Sequence, residues 1–129
     1  MKRILAATAL IFLYNPAYAD VVSLTIDSAA VSKSSGISIE AGTVTCTDGD
    51  SVFIFSTLTE STNNKFSSAS GSTLVVCNGS QQNWQVTNTS FYGNDVGPGQ
   101  AVGQATASSQ MIFRLVQTPI TRLNVKNLP

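Results

Sequence analysis

Beyond residue 19, apolar residues recur at every second position in short runs, and no window repeats them at helical spacing for three turns. In "VSLTID", Val22, Leu24 and Ile26 fall on one face. In "GISIE", Ile37 and Ile39 do so, and in "TVTC" Val44 and Cys46. The inward parity changes across Ala41-Gly42, and one extra residue at a glycine is what a β-bulge supplies, so a bulge is predicted there within one strand. "SVFIFSTLT" is apolar on both faces over Val52 to Phe55. That reads as a central strand covered on both sides, or as one with a face reserved for a partner.

"KFSSAS" reads as a weak edge strand, followed by strands in "STLVVC" and "NWQVTNT", where Trp84 and Val86 share a face. Between these two, "CNGSQQ" reads as a turn: Asn78-Gly79 tolerates positive φ and Gln81 and Gln82 face solvent. "YGNDVGPGQ" is a loop by composition. "AVGQATASSQMIFRLVQ" returns to strand, with the small row Ala101, Gly103, Ala105 and Ala107 on one face, continued by Met111, Phe113 and Leu115. Pro119 interrupts the ladder, and residues 118–129, with Leu123 and Val125 alternating, form an edge strand or a loose tail. Seven or eight short strands with frequent turns predict an all-β fold, a single antiparallel β-sandwich.

The first 19 residues change the picture of where this sandwich goes. "MKR" is a positive start, "ILAATALIFLY" an apolar run of eleven, and "NPAYA" a small-residue cleavage site, so residues 1–19 read as a signal peptide and 20–129 as one domain. Eleven apolar residues fall short of the roughly 20 that span a bilayer, and the mature chain offers no membrane span. Losing Lys2 and Arg3 leaves five bases against seven acids, a net charge of −2, which speaks against nucleic acid as a partner. In an oxidising compartment the only two cysteines, Cys46 and Cys77, read as one disulfide. Closing the 30 residues between them contributes roughly 3–4 kcal/mol by chain entropy.

Candidate chemistry is sparse. With no histidine in the chain, no Ser-His or Cys-His nucleophile system can be built and zinc lacks its usual ligands, so neither catalytic residues, metal nor cofactor are expected. Asp27, Glu40, Asp48, Asp50, Glu60 and Asp95 fall mostly at predicted turns and strand ends, where solvation explains them. Asp48 and Asp50 in "CTDGDS" suit a hairpin turn better than a calcium site, which needs six to eight ligands. Asn78-Gly-Ser80 and Asn88-Thr-Ser90 match the glycosylation tripeptide, a pattern common in a chain this rich in Ser, Thr and Asn. Trp84 is expected in the core near the disulfide, its N–H on a carbonyl. Phe91 and Tyr92, read as lying in a loop beside "GND", are the candidate ligand-contacting aromatics.

With "TVTCTDGDSVFIFSTLTE", "VVCNGSQQNWQVT" and "GPGQAVGQATA" in view, the chain resembles small secreted bacterial proteins of uncharacterised families with immunoglobulin-like folds, over most of residues 40 to 107. The resemblance implies an immunoglobulin-like sandwich and export, and carries no site residue across. Antibody-type domains set their tryptophan between the two cysteines, whereas Trp84 follows both. The expected function is non-enzymatic: a secreted or periplasmic domain binding a protein or glycan of the cell envelope. The alternative is a pilin-like subunit of a surface fibre completing its fold with a neighbour's strand.

Overall fold

A computed structural model describes residues 21–32, 35, 37–62, 65–93, 95–110 and 114–128. The signal segment, Met111 and Phe113 lie outside the described residues. Nine strands run β1 (Val21–Leu24), β2 (Ser28–Val31), β3 (Ser38–Cys46), β4 (Ser51–Thr62), β5 (Lys65–Val76), β6 (Gln81–Gly93), β7 (Gly99–Ser109), β8 (Leu115–Gln117) and β9 (Thr121–Asn127).

The strands close into a seven-stranded barrel, β3-β2-β9-β7-β4-β5-β6 and back to β3, not the sandwich that the turn spacing predicts. Two strands cause the closure by changing partners along their length. β6 pairs with β3 from Gln81 to Asn88, then with β5 from Thr89 to Gly93. β9 pairs with β7 from Thr121 to Val125, then runs parallel to β2 at Lys126 and Asn127. A strand shared by two half-sheets leaves no gap between them, and shared strands on both sides leave a closed wall. β1 and β2 run in succession along β3, and β8 extends the ladder of β7 beyond the reach of β9.

Alternation holds along the wall, but in β3 its phase differs from the expected one. Ser38, Glu40, Gly42, Val44 and Cys46 all face inward, while Ile39 is only half-buried. The register to β6 runs unbroken from Ser38↔Asn88 to Thr45↔Gln81, so there is no bulge at Ala41-Gly42. The irregularity lies in the neighbouring strand instead, between Val21 and Ser23, and it turns Val21 inward and leaves Val22 exposed. Gly42 is a glycine because the carbonyl of Thr25 and the ring of Trp84 occupy the place of its side chain.

In β4, Val52, Ile54, Ser56 and Leu58 line the interior, beside the small row Ala101, Gly103, Ala105 and Ala107 of the paired strand β7. Those small residues let the walls approach closely, as the sequence predicts. "KFSSAS" and "STLVVC" belong to one strand, β5, whose antiparallel pairing with β4 runs from Ser51↔Val76 to Thr62↔Lys65. Pro119 separates β8 from β9, while the Thr118 N–H still donates to the Ala105 carbonyl at 2.9 Å. Leu115 points outward rather than continuing the inward row.

Cys46 and Cys77 form a disulfide, with 5.4 Å between their Cα atoms, joining the end of β3 to the residue after β5. Beside it the turn expected in "CNGSQQ" is present. Gly79 has φ of 82° and its N–H donates to the Cys46 carbonyl at 3.1 Å. Gln82 straps this turn rather than facing solvent freely: Nε2 donates to the Val76 carbonyl at 3.0 Å and Oε1 accepts from the Asn78 N–H at 3.2 Å. Trp84 is buried, its indole N–H shared between the carbonyls of Thr25 (3.0 Å) and Thr43 (3.2 Å).

Candidate functional site

Inside the barrel, three strands bring together a buried polar cluster. Glu40 on β3, Asn88 on β6 and Ser56 on β4 are each fully buried. The Asn88 amide Nδ2 donates to Glu40 Oε1 at 2.6 Å, and the Ser56 hydroxyl donates to Asn88 Oδ1 at 3.2 Å. Glycines on two further strands sit against the cluster. A side-chain carbon at Gly71 of β5 would lie 2.8 Å from Asn88 Oδ1, and would meet the backbone carbonyl of Thr87 first. One at Gly103 of β7 would lie 2.6 Å from Glu40 Oε2 and 2.9 Å or less from methyl carbons of Leu123 and Ile26.

Those methyl groups explain the state of Glu40. Oε2 ends among them with no hydrogen-bond partner, as does the nearby Ser38 hydroxyl on the same inward face. Burial drives the Glu40 pKa up from 4.5 to about 7; the hydrogen bond from Asn88 and the proximity of the Ser56 hydroxyl oppose the shift without cancelling it. Ser56 stands near the carboxyl, but its well-formed bond goes to Asn88. No lysine or arginine is buried among the described residues, so no cation offsets the burial. The only other acid buried there, Asp50, lies at the β3–β4 turn, where Oδ2 accepts from the Ser109 hydroxyl at 2.5 Å and Oδ1 from the Ser51 N–H at 2.7 Å.

Glu40 therefore sits neither at a turn nor at a strand end, contrary to the sequence expectation for the acids. The signal was available: counting back by twos from Cys46 and Val44 arrives at Glu40, and counting on from Trp84 and Val86 arrives at Asn88. Asn88 is also the asparagine of a glycosylation tripeptide, and in the fold its amide is sealed inside the barrel, whereas Asn78 is exposed.

A second feature lies on the outside. Phe53 of β4 (47 % exposed) pairs directly with Leu74 of β5 (51 %), and on its other side with Ser108 of β7, which pairs with Leu115 of β8 (66 %). Phe55 and Val76 extend this row along their own strands, and the residues paired around it, Ser51, Ser72, Thr106, Ser108 and Gln117, are uncharged. Among the described residues no further layer covers the apolar outer face of "SVFIFSTLT".

Phe91 is at the bulge where β6 passes Ser68 and Ala69 of β5, and is 65 % exposed, on a strand rather than in a loop. Tyr92 follows in the same strand, its side chain outside the described residues. Neither joins the Phe53 row by any strand pairing. A shallow groove of about 220 Å³ is lined by Thr59, Ser61, Val102 and Arg122. Among the described residues no cluster of three or more Cys, Asp or Glu is placed to hold a metal ion, and no helix is long and apolar enough to cross a membrane.

The chain belongs to a family of unknown function, DUF6299, whose model matches residues 20–123. No curated protein matches it.

Proposed function

We propose that this chain is an exported, non-enzymatic binding domain, secreted or periplasmic, that receives the apolar surface of an envelope protein on the outer face of β4, β5 and β8. The observation that carries the reading is the row Leu74, Phe53 and Leu115 with Phe55 and Val76 beside it, large apolar side chains left in water, Leu74 and Phe53 on paired strands and Leu115 one strand further, across Ser108. Contiguous exposed apolar patches on soluble domains are uncommon and mark interaction sites. A protein suits this face better than a glycan. Sugar recognition combines aromatic stacking with polar groups that fix orientation; here three of the five side chains are aliphatic and the phenylalanines bear no polar handle. The disulfide and the expected signal peptide support export. A fibre subunit awaiting a donated strand is less well supported, because the barrel closes with strands of this one chain.

The test compares wild type with Phe53→Ser/Leu74→Ser. Both residues are half-exposed, so the double variant should keep its unfolding midpoint. Immobilised on a resin and exposed to envelope extract, wild type should retain a saturable protein band that the variant loses. Equal capture by the two proteins, with folding intact, would refute this face as the binding surface.

A further inference from the structure

The buried cluster holds a hydroxyl, a carboxamide and a carboxyl in one hydrogen-bonded chain, out of reach of water. We propose that Ser56 and Asn88 join in an intramolecular ester that cross-links β4 to β6, with Glu40 carrying the protons.

The hydrogen bonds bring the three groups together. Ser56 Oγ is 3.2 Å from Asn88 Oδ1, on the carboxamide it would attack, and Glu40 Oε1 is 2.6 Å from Nδ2, the nitrogen that must leave. Attack needs a small turn of the hydroxyl from the carbonyl oxygen toward Cγ. In the step, Ser56 Oγ bonds to Asn88 Cγ while its proton passes to the Glu40 carboxylate. The Cγ–Nδ2 bond then breaks as Glu40 returns that proton to nitrogen, and ammonia departs. One C–O bond replaces one C–N bond, no atom changes oxidation state and no co-reactant is needed. A carboxyl with a pKa of about 7 exists in both forms near neutrality, as a group that takes and returns a proton requires. Burial also protects the product, since an ester sealed in the barrel meets no water to hydrolyse it.

Within the fold Glu40 Oε2 and Ser38 Oγ have no hydrogen-bond partner, so the cluster is not a fully satisfied polar network. The chemistry is a single self-modification and needs no substrate, so it is compatible with a binding domain and independent of what that domain binds.

Intact mass of the exported, oxidised protein tests it. The folded chain should be lighter than its processed, disulfide-bonded sequence by one ammonia, about 17 Da. Trypsin places Ser56 in the peptide 34–65 and Asn88 in 66–114, the same two peptides that the Cys46–Cys77 bridge joins, so the digest is reduced and alkylated first. The two peptides should then remain linked and separate on mild alkali or hydroxylamine. Ser56→Ala, which removes one oxygen, and the near-isosteric Glu40→Gln should both show full mass and unlinked peptides. A succinimide at Asn78-Gly79 would produce the same loss of mass, so its location decides: loss at Asn78 with separate peptides overturns the proposal, as does full mass in folded wild type. A cross-link that persists in Glu40→Gln overturns the role given to Glu40.

Discussion

Replacing Glu40 with glutamine should remove a pH dependence that wild type carries through one group. In the fold the Glu40 pKa is about 7, against 4.5 for the ordinary carboxyl. The folded state therefore holds its proton more tightly than the unfolded state does. Stability is fully present below pH 4.5, where both states are protonated. It declines as pH rises, because unfolding releases a proton the fold retains, and the loss is complete once pH passes about 7. A shift of about 2.5 pH units at 1.36 kcal/mol each makes that loss roughly 3 kcal/mol, with a limiting slope near 1.4 kcal/mol per pH unit. This is a sizeable part of the ~5–15 kcal/mol that stabilises a typical domain.

Glutamine cannot ionise, so Glu40→Gln should lack this slope while sharing the titration of every other acid. Urea unfolding of both proteins, disulfide intact, at half-unit steps from pH 4 to 8 isolates it as the difference between two curves. Wild type should lose roughly 3 kcal/mol relative to the variant across that range. At low pH wild type should be at least as stable, since glutamine brings a second amide hydrogen into a place lined by methyl groups. If the cross-link has formed, Glu40 has lost the Asn88 N–H donor that favours its charged form, and the direction is unchanged. Parallel curves, or a wild type that gains on the variant as pH rises, would refute the account of Glu40 as a carboxyl buried without compensation.

Other predictions concern the frame around the cluster. Trp84→Ala should cost roughly 3–5 kcal/mol, and in wild type the buried indole should resist acrylamide quenching, whereas free quenching would contradict its burial. Gly42→Ala should cost at least ~1–3 kcal/mol by chemical denaturation, because the new carbon meets the Thr25 carbonyl, backbone that cannot swing aside. Cys46→Ser should cost about 2–5 kcal/mol, and alkylation without reduction should add no mass to wild type.

How much of this was legible in the sequence depends on distance along the chain. The all-β character, the disulfide, the small inward row of β7 and the Gly79 turn are local or set by composition, and they are as read. Barrel closure was not legible. It depends on β6 leaving β3 for β5 after Asn88 and on β9 leaving β7 for β2 after Val125, and no residue at either switch is a glycine or proline to mark it. Nothing local distinguishes a strand that changes partner from one that ends.

The polar cluster was legible in part, and the reason it was missed is instructive. Assigning Ile37 and Ile39 to the inward face of β3 required a bulge at Gly42; keeping the phase of Val44 and Cys46 required Glu40 and Ser38 inside instead. Burying a carboxyl looks costlier than one bulge when β3 is considered alone. The balance changes with β6 beside it. In phase with Trp84 and Val86, Asn88 comes inward next to Glu40 and supplies the 2.6 Å hydrogen bond, and an unbroken ladder of eight pairs keeps the backbone groups of both strands satisfied. A bulge in β3 would also have turned Glu40 out and left Asn88 buried without its carboxyl partner. The two polar residues favour one register together, although each alone argues against it.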